Sequence, residues 1–145
     1  MNLLTQQLKY LIEDDQYEIT SLSNMASFIY NELEDVSWAG FYLYKDEQLI
    51  LGPFQGKVAC TIIKMGSGVC GTSALKQETL VVENVHEFPG HIACDSASNS
   101  EIVVPIVVND KLYGVLDLDS TSFDRFGKDK ELIESFVDVL VKKLG

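Results

Sequence analysis

EIVVPIVVNDKLYGVLDLDS, Glu101 to Ser120, is the stretch whose reading decides the fold. Two β-rich runs, Glu101–Val108 and Leu112–Asp119, flank Asn109–Asp110, a pair that favours the left-handed conformations of a tight hairpin. Within Val115–Leu116–Asp117–Leu118–Asp119 the period is two. Both carboxylates therefore point to one face of the strand and both leucines to the other. Aspartate is depleted inside strands. Two on one face of a core strand require a ligand, solvent or hydrogen-bond partners.

Working outward, the remaining chain supplies what such a hairpin packs against. Residues 2–12 read as an amphipathic helix with Leu4, Leu8, Leu11 and Ile12 on one face. Residues 17–33 read as a second, apolar at Leu22, Met25, Ala26, Ile29, Tyr30 and Leu33. Trp38–Tyr44 is aromatic and β-rich, Lys45–Asp46–Glu47 is a turn, and Gln48–Phe54 returns as a strand. Val58–Ile63 is expected as a third strand and Thr72–Lys76 as a short helix after the break at Gly66–Ser67–Gly68. Leu80–Val82 is a brief strand, residues 83–99 a long loop, and Lys128–Leu144 a terminal helix. The expected architecture is α+β: one domain over residues 1–145, with a central, mainly antiparallel sheet and the N- and C-terminal helices packed on it. A loop as long as 83–99 inside a compact domain is often functional.

Apolar residues make up 46% of the 145, enough for a normal core. The longest apolar runs are far too short to span a bilayer. Eleven basic against 22 acidic residues give a net charge of −11, which opposes binding to nucleic acid and to anionic membranes. The N-terminus MNLLTQQLKYLIEDDQ has no basic start, apolar run or cleavage site, so a cytoplasmic location is expected. There thiols are kept reduced. An odd cysteine count also argues against a structural disulfide framework.

The three cysteines are Cys60, Cys70 and Cys94, in GPFQGKVACT, GSGVCGTS and FPGHIACDSASNSE. All lie in Gly- or small-residue-rich segments outside the apolar runs, which makes them candidates for chemistry rather than packing. His91 stands close to Cys94 in sequence and would favour its thiolate if protonated. A Cys3His zinc site from these residues lacks CxxC and HxxxH spacing and is set aside. No metal or cofactor is expected.

The segments GPFQGKVAC, GSGVCGTSA, VHEFPGHIACDSASNSEIVVP and GVLDLDS resemble the free methionine-(R)-sulfoxide reductases, built on the GAF fold. The resemblance runs from about Trp38 to Phe126 and includes the cysteine gaps of 10 and 24 residues. It implies reduction of free methionine-R-sulfoxide, a role in oxidative-stress repair, and thioredoxin as the reductant. It also implies roles: Cys94 as the attacking thiol, Cys70 as the resolving thiol that closes a disulfide with it, and Cys60 as an auxiliary thiol. Glu101, Asp117 and Asp119 become an acidic set. One carboxylate would bind the α-ammonium, and crowding would keep a proton on another for the sulfoxide oxygen.

Trp38, the sole tryptophan, is expected to wall that pocket against the substrate's methyl–sulfur end, and Tyr42 and Tyr44 share its strand face. The register poses a conflict. A simple two-residue hairpin pairs 108 with 111, so Glu101 faces Leu118, on the wrong side of the sheet. A one-residue bulge corrects this, and Pro105, which lacks a ladder donor, is the expected place.

The rival reading is a GAF-type sensor that binds a small molecule or senses redox state without catalysis. Such a module normally carries an output domain and needs no resolving thiol. The last helix, apolar at Leu132, Ile133, Phe136, Val137, Val139, Leu140, Val141 and Leu144, is wider than one core-facing stripe and suggests a homodimer through the terminal helices.

Overall fold

The computed structural model describes residues 2–90 and 97–145. Two helices, α1 (Leu3–Ile12) and α2 (Glu18–Glu32), open the chain. Then come β1 (Trp38–Lys45), β2 (Gln48–Gln55), β3 (Ile62–Lys64), α3 (Gly68–Lys76), β4 (Leu80–Val82), β5 (Ser100–Val108), β6 (Lys111–Ser120) and α4 (Lys130–Leu144). Short 3-10 turns at Val85–Glu87 and Gly127–Asp129 interrupt the connections. The strands form an antiparallel sheet in the order β3-β2-β1-β6-β5-β4. Both hairpin turns expected from sequence are present. Asp46–Glu47 and Asn109–Asp110 each have two residues at positive φ, the backbone twist that two-residue hairpins need.

Strand alternation sends side chains to two cores. Ala39, Phe41, Ile102, Val104, Ile106, Leu116 and Leu118 face the layer of α1, α2 and α4, where Leu8, Ile12, Leu22, Met25, Ile29, Phe136 and Leu140 are fully buried. Trp38, Tyr42, Val103 and Val115 face the opposite side, against α3 and the segment before it. The polar chemistry lies on this second, smaller side.

Several boundaries differ from expectation for local reasons. Val58 is exposed, and the strand paired with β2 is Ile62–Lys64, so residues 58–61 form an irregular arch, tied to β2 through the Thr61 carbonyl, which accepts from Leu51 N–H. The carbonyls of Lys57 and Cys60 accept hydrogen bonds from the Trp38 indole and the Tyr42 hydroxyl instead of joining a ladder. The helix expected at Thr72 starts at Gly68. Gly71 within it is required by packing: a Cβ there would lie 2.4 Å from the Lys64 carbonyl oxygen. Leu11 of the first helix is exposed, and Thr5 takes its place on the buried face. The apolar width of α4 is used inside the fold, because Leu132, Val141 and Leu144 pack on the same core as Ile133 and Phe136. Among the described residues no helix is long and apolar enough to cross a membrane.

Candidate active site

The site is built on the middle of β6. Asp117 and Asp119 project to one face, as their spacing requires, and Leu116 and Leu118 enter the helical core on the other. Glu101 pairs with Asp119 across the sheet. The bulge that the acidic set demanded exists, but not at Pro105, which pairs normally with Val115. The shift falls between Ile106 and Val107, which face Gly114 and Leu112, leaving Tyr113 of β6 as the extra residue. A bulge close to the turn costs fewer ladder bonds than one in mid-strand, and it still realigns the whole distal half.

Glu101, Asp117 and Asp119 line one cavity with Trp38, Tyr42, Cys70 and Ser98. Among the described residues lining it, none is basic. Glu101 and Asp117 are buried and Asp119 half-buried. Burial, then the charge of Asp117 and of Asp119, push the Glu101 carboxyl well above its usual range. Burial also raises Asp117, against the opposing pull of contacts with Glu101, Cys70 and Asp119. Burial and crowding therefore both favour a proton held within the cluster. Among the described residues, Asp117 Oδ1 and Ser98 Oγ are buried with no hydrogen-bond partner. Both residues line the cavity, and an unsatisfied polar atom there is one that a ligand can satisfy.

Aromatic rings form the cavity's apolar wall. Trp38 stacks on Phe54 at 5.2 Å and on Tyr42 at 6.0 Å. Gly40, between Trp38 and Tyr42 on the same strand face, makes room for this: a Cβ would lie 2.3 Å from the Phe54 Cβ. The stack is fixed to the arch over it. Trp38 Nε1–H donates to the Lys57 carbonyl at 3.0 Å, and the Tyr42 hydroxyl donates to the Cys60 carbonyl at 2.9 Å. Burial and the charge of Asp117 hold the Tyr42 phenol far above its ordinary pKa, so it remains a donor. Tyr44, on the same strand face, lies beyond the cavity and is partly exposed, so it does not join the site.

The cysteines differ from one another. Cys70 is not on a polar loop but in the first turn of α3, 5% exposed and a free thiol. Its Sγ is a donor toward Glu101 Oε2 at 3.9 Å. Burial first, then the charges of Asp117, Glu101 and Asp119, push its pKa well up, which keeps it a thiol rather than a thiolate. Cys60 is disulfide-bonded. Cys94 lies outside the described residues, as does His91.

Sequence reasoning missed Ser98, Phe54 and Gly40. Ser98 carries no pattern of its own. Gly40 was legible in principle, as a small residue in an aromatic strand where another backbone or ring comes close.

A GAF domain model matches residues 19–140. A free methionine-R-sulfoxide reductase of Escherichia coli is 50% identical over 88% of this chain and 78% of its own length. One of Saccharomyces cerevisiae is 47% identical over 86% of this chain and 74% of its own. A solved structure of the Staphylococcus aureus enzyme fRMsr in complex with substrate superposes with a TM-score of 0.94 at 49% identity, covering 99% of this chain and 94% of that one. With the sheet order, the acidic cavity and these likenesses together, the chain belongs to the free methionine-R-sulfoxide reductases, a family of oxidoreductases built on the GAF domain.

Proposed function

We propose that this protein reduces free methionine-R-sulfoxide to methionine. The observation that carries the reading is a cavity with three carboxyl groups, no basic residue among its described lining, and an unpartnered acceptor at Asp117 Oδ1. Such a cavity suits a ligand that brings a cation. The α-ammonium of a free amino acid is that cation, and a residue within a polypeptide has none. The Trp38 face suits the methyl–sulfur end.

In the proposed reaction the Cys94 thiolate attacks the sulfoxide sulfur. A carboxyl of the Glu101–Asp117–Asp119 set protonates the oxygen, which leaves sulfur and ends on Cys94 as a sulfenic acid while methionine departs. A second thiol displaces that oxygen as water and closes a disulfide, which the thioredoxin dithiol then reduces. The resemblance assigns the second thiol to Cys70. What supports Cys60 in its place is that, among the described cysteines, Cys60 is disulfide-bonded, whereas Cys70 is free and kept protonated by burial and carboxylates. We therefore assign resolution to Cys60 and a place in the cavity wall to Cys70.

The protein acts in the cytoplasm in this reading. The homodimer loses the support expected from α4. Exposed Leu3, Tyr10 and Leu11 of α1 with Tyr17 and Ile19 offer a face in its place, and light scattering at micromolar concentration tests it.

The deciding experiment mixes purified protein with dithiothreitol and separated R and S epimers of free methionine sulfoxide, then measures methionine. Methionine from the R epimer alone is expected. Binding of either epimer without methionine release would instead favour a sensor.

A further inference from the structure

We propose that the carboxylate wall of the cavity is also a binding site for a borderline-soft divalent cation of the zinc type, held by Cys70 Sγ and one carboxylate oxygen each from Glu101 and Asp117. One ligand atom of each residue lies within 4.8 Å of the other two. Cys70 Sγ and Glu101 Oε2 are 3.9 Å apart. Zinc bonds of about 2.3 Å to sulfur and 2.0 Å to oxygen, at a tetrahedral angle, place the two ligand atoms roughly 3.5 Å apart. The pair is thus within a few tenths of an ångström of ligating distance, and small side-chain rotations close the triangle.

Clustering alone does not make a site. The independent observation is Asp117 Oδ1, a buried oxygen on a cavity-lining side chain 5% exposed, with no hydrogen-bond partner among the described residues. No basic residue among the described lining offers it a counter-charge. The donor set selects the class of ion. A thiol with two carboxylates suits zinc, cobalt or cadmium. Magnesium and calcium take six or more oxygen ligands and no sulfur. On binding, Cys70 loses its proton to solvent and ligates as the thiolate, with no electron transferred. A fourth position, on the cavity side, remains for water. This donor set is unlike the cysteine–histidine site that sequence spacing argued against.

The ion would fill the place that the proposed function gives to the substrate's ammonium, and would therefore inhibit. That corollary rests on the functional reading; the binding itself does not.

The test uses the full chain carrying Cys60→Ser and Cys94→Ser, so that Cys70 is the sole thiol. The metal-free protein is titrated with cobalt(II), read by its thiolate charge-transfer absorption, and with zinc(II), read by calorimetry, in the absence of methionine sulfoxide. One ion per chain and a thiolate–cobalt band are expected. Adding Cys70→Ser should remove the band and weaken zinc binding by about 100-fold or more, since even supporting residues of metal sites are worth roughly 10–100-fold. Adding Asp117→Asn instead should keep the band but shift it to higher cobalt concentration. Circular dichroism of the metal-free variants confirms folding. Absence of the band in the sole-thiol protein, or zinc affinity unmoved by Cys70→Ser, overturns the proposal.

Discussion

Glu101 stands directly across the sheet from Asp119, carboxylate opposite carboxylate, because Tyr113 is an extra residue in β6. Were Tyr113 paired in a simple register instead of bulged out, Glu101 would face Leu118 and point into the helical core, where Leu118 and Ile102 are fully buried. The bulge therefore decides whether the chain has a three-carboxyl cavity or a buried charge in its core.

Removing Tyr113 takes out the extra residue itself, so the hairpin should close without a bulge and still pair Glu101 with Asp119. The deletion is expected to keep activity on free methionine-R-sulfoxide. A folded deletion variant without activity would show that Tyr113 does more than set the register.

Asp117→Asn and Asp119→Asn should each lower turnover on free methionine-R-sulfoxide by about 100-fold or more, the scale of losing a general acid. Neither should unfold the protein, since both keep side-chain size. Wild-type rates in both variants would dismiss the acid role and leave the cysteine chemistry standing.

Glu101→Gln tests the electrostatics through stability. The folded-state pKa of Glu101 lies above its unfolded value. Such a group contributes stability below the unfolded pKa, near 4.3. It loses that contribution as pH rises through the folded pKa. On raising pH from about 4, the wild type should therefore lose stability relative to Glu101→Gln, and the gap should level off above the folded pKa. Paired melting curves across that range measure it. A gap that narrows instead would mean that the carboxylate is stabilised in the fold.

The hairpin, the common face of Asp117 and Asp119, and both helical ends were legible because each follows from local rules: turn residues at positive φ, period two, and apolar spacing. The need for a bulge was legible as well, since an acidic set containing Glu101 does not fit a simple register. Its position was not. Pro105 satisfies its missing donor without breaking the pairing, and nothing local marks Tyr113. The arch at residues 58–61 escaped for a related reason. Its carbonyls are claimed by Trp38 and Tyr42, about twenty residues earlier in the chain. The depth of Cys70 escaped too, because Gly68 and Gly71 look like loop glycines until Lys64 is placed beside the helix.

Gly40→Ala should push Phe54 off Trp38, since the new methyl meets the Phe54 Cβ at 2.3 Å. Overpacking of this kind costs about 1–3 kcal/mol. A lower melting midpoint and a raised KM are expected. An unchanged KM would remove the aromatic stack from substrate binding.

Cys94→Ser should abolish even a single turnover. Cys60→Ser should keep the first turnover but lose thioredoxin-coupled cycling, and Cys70→Ser should keep cycling. The reverse outcome for Cys60 and Cys70 would return the resolving role to Cys70.

The hydrogen bond from the Trp38 indole to the Lys57 carbonyl, together with that from Tyr42 to the Cys60 carbonyl, has an optical consequence. Trp38 is the only tryptophan in the chain, so all indole emission comes from one ring. That ring grips the backbone three residues before a cysteine that changes partner during the proposed cycle. If the proposed cycle holds, opening the Cys60 disulfide should free the arch and alter the polarity around the indole. Indole emission would then report the protein's oxidation state, and turnover could be followed in stopped flow without a label.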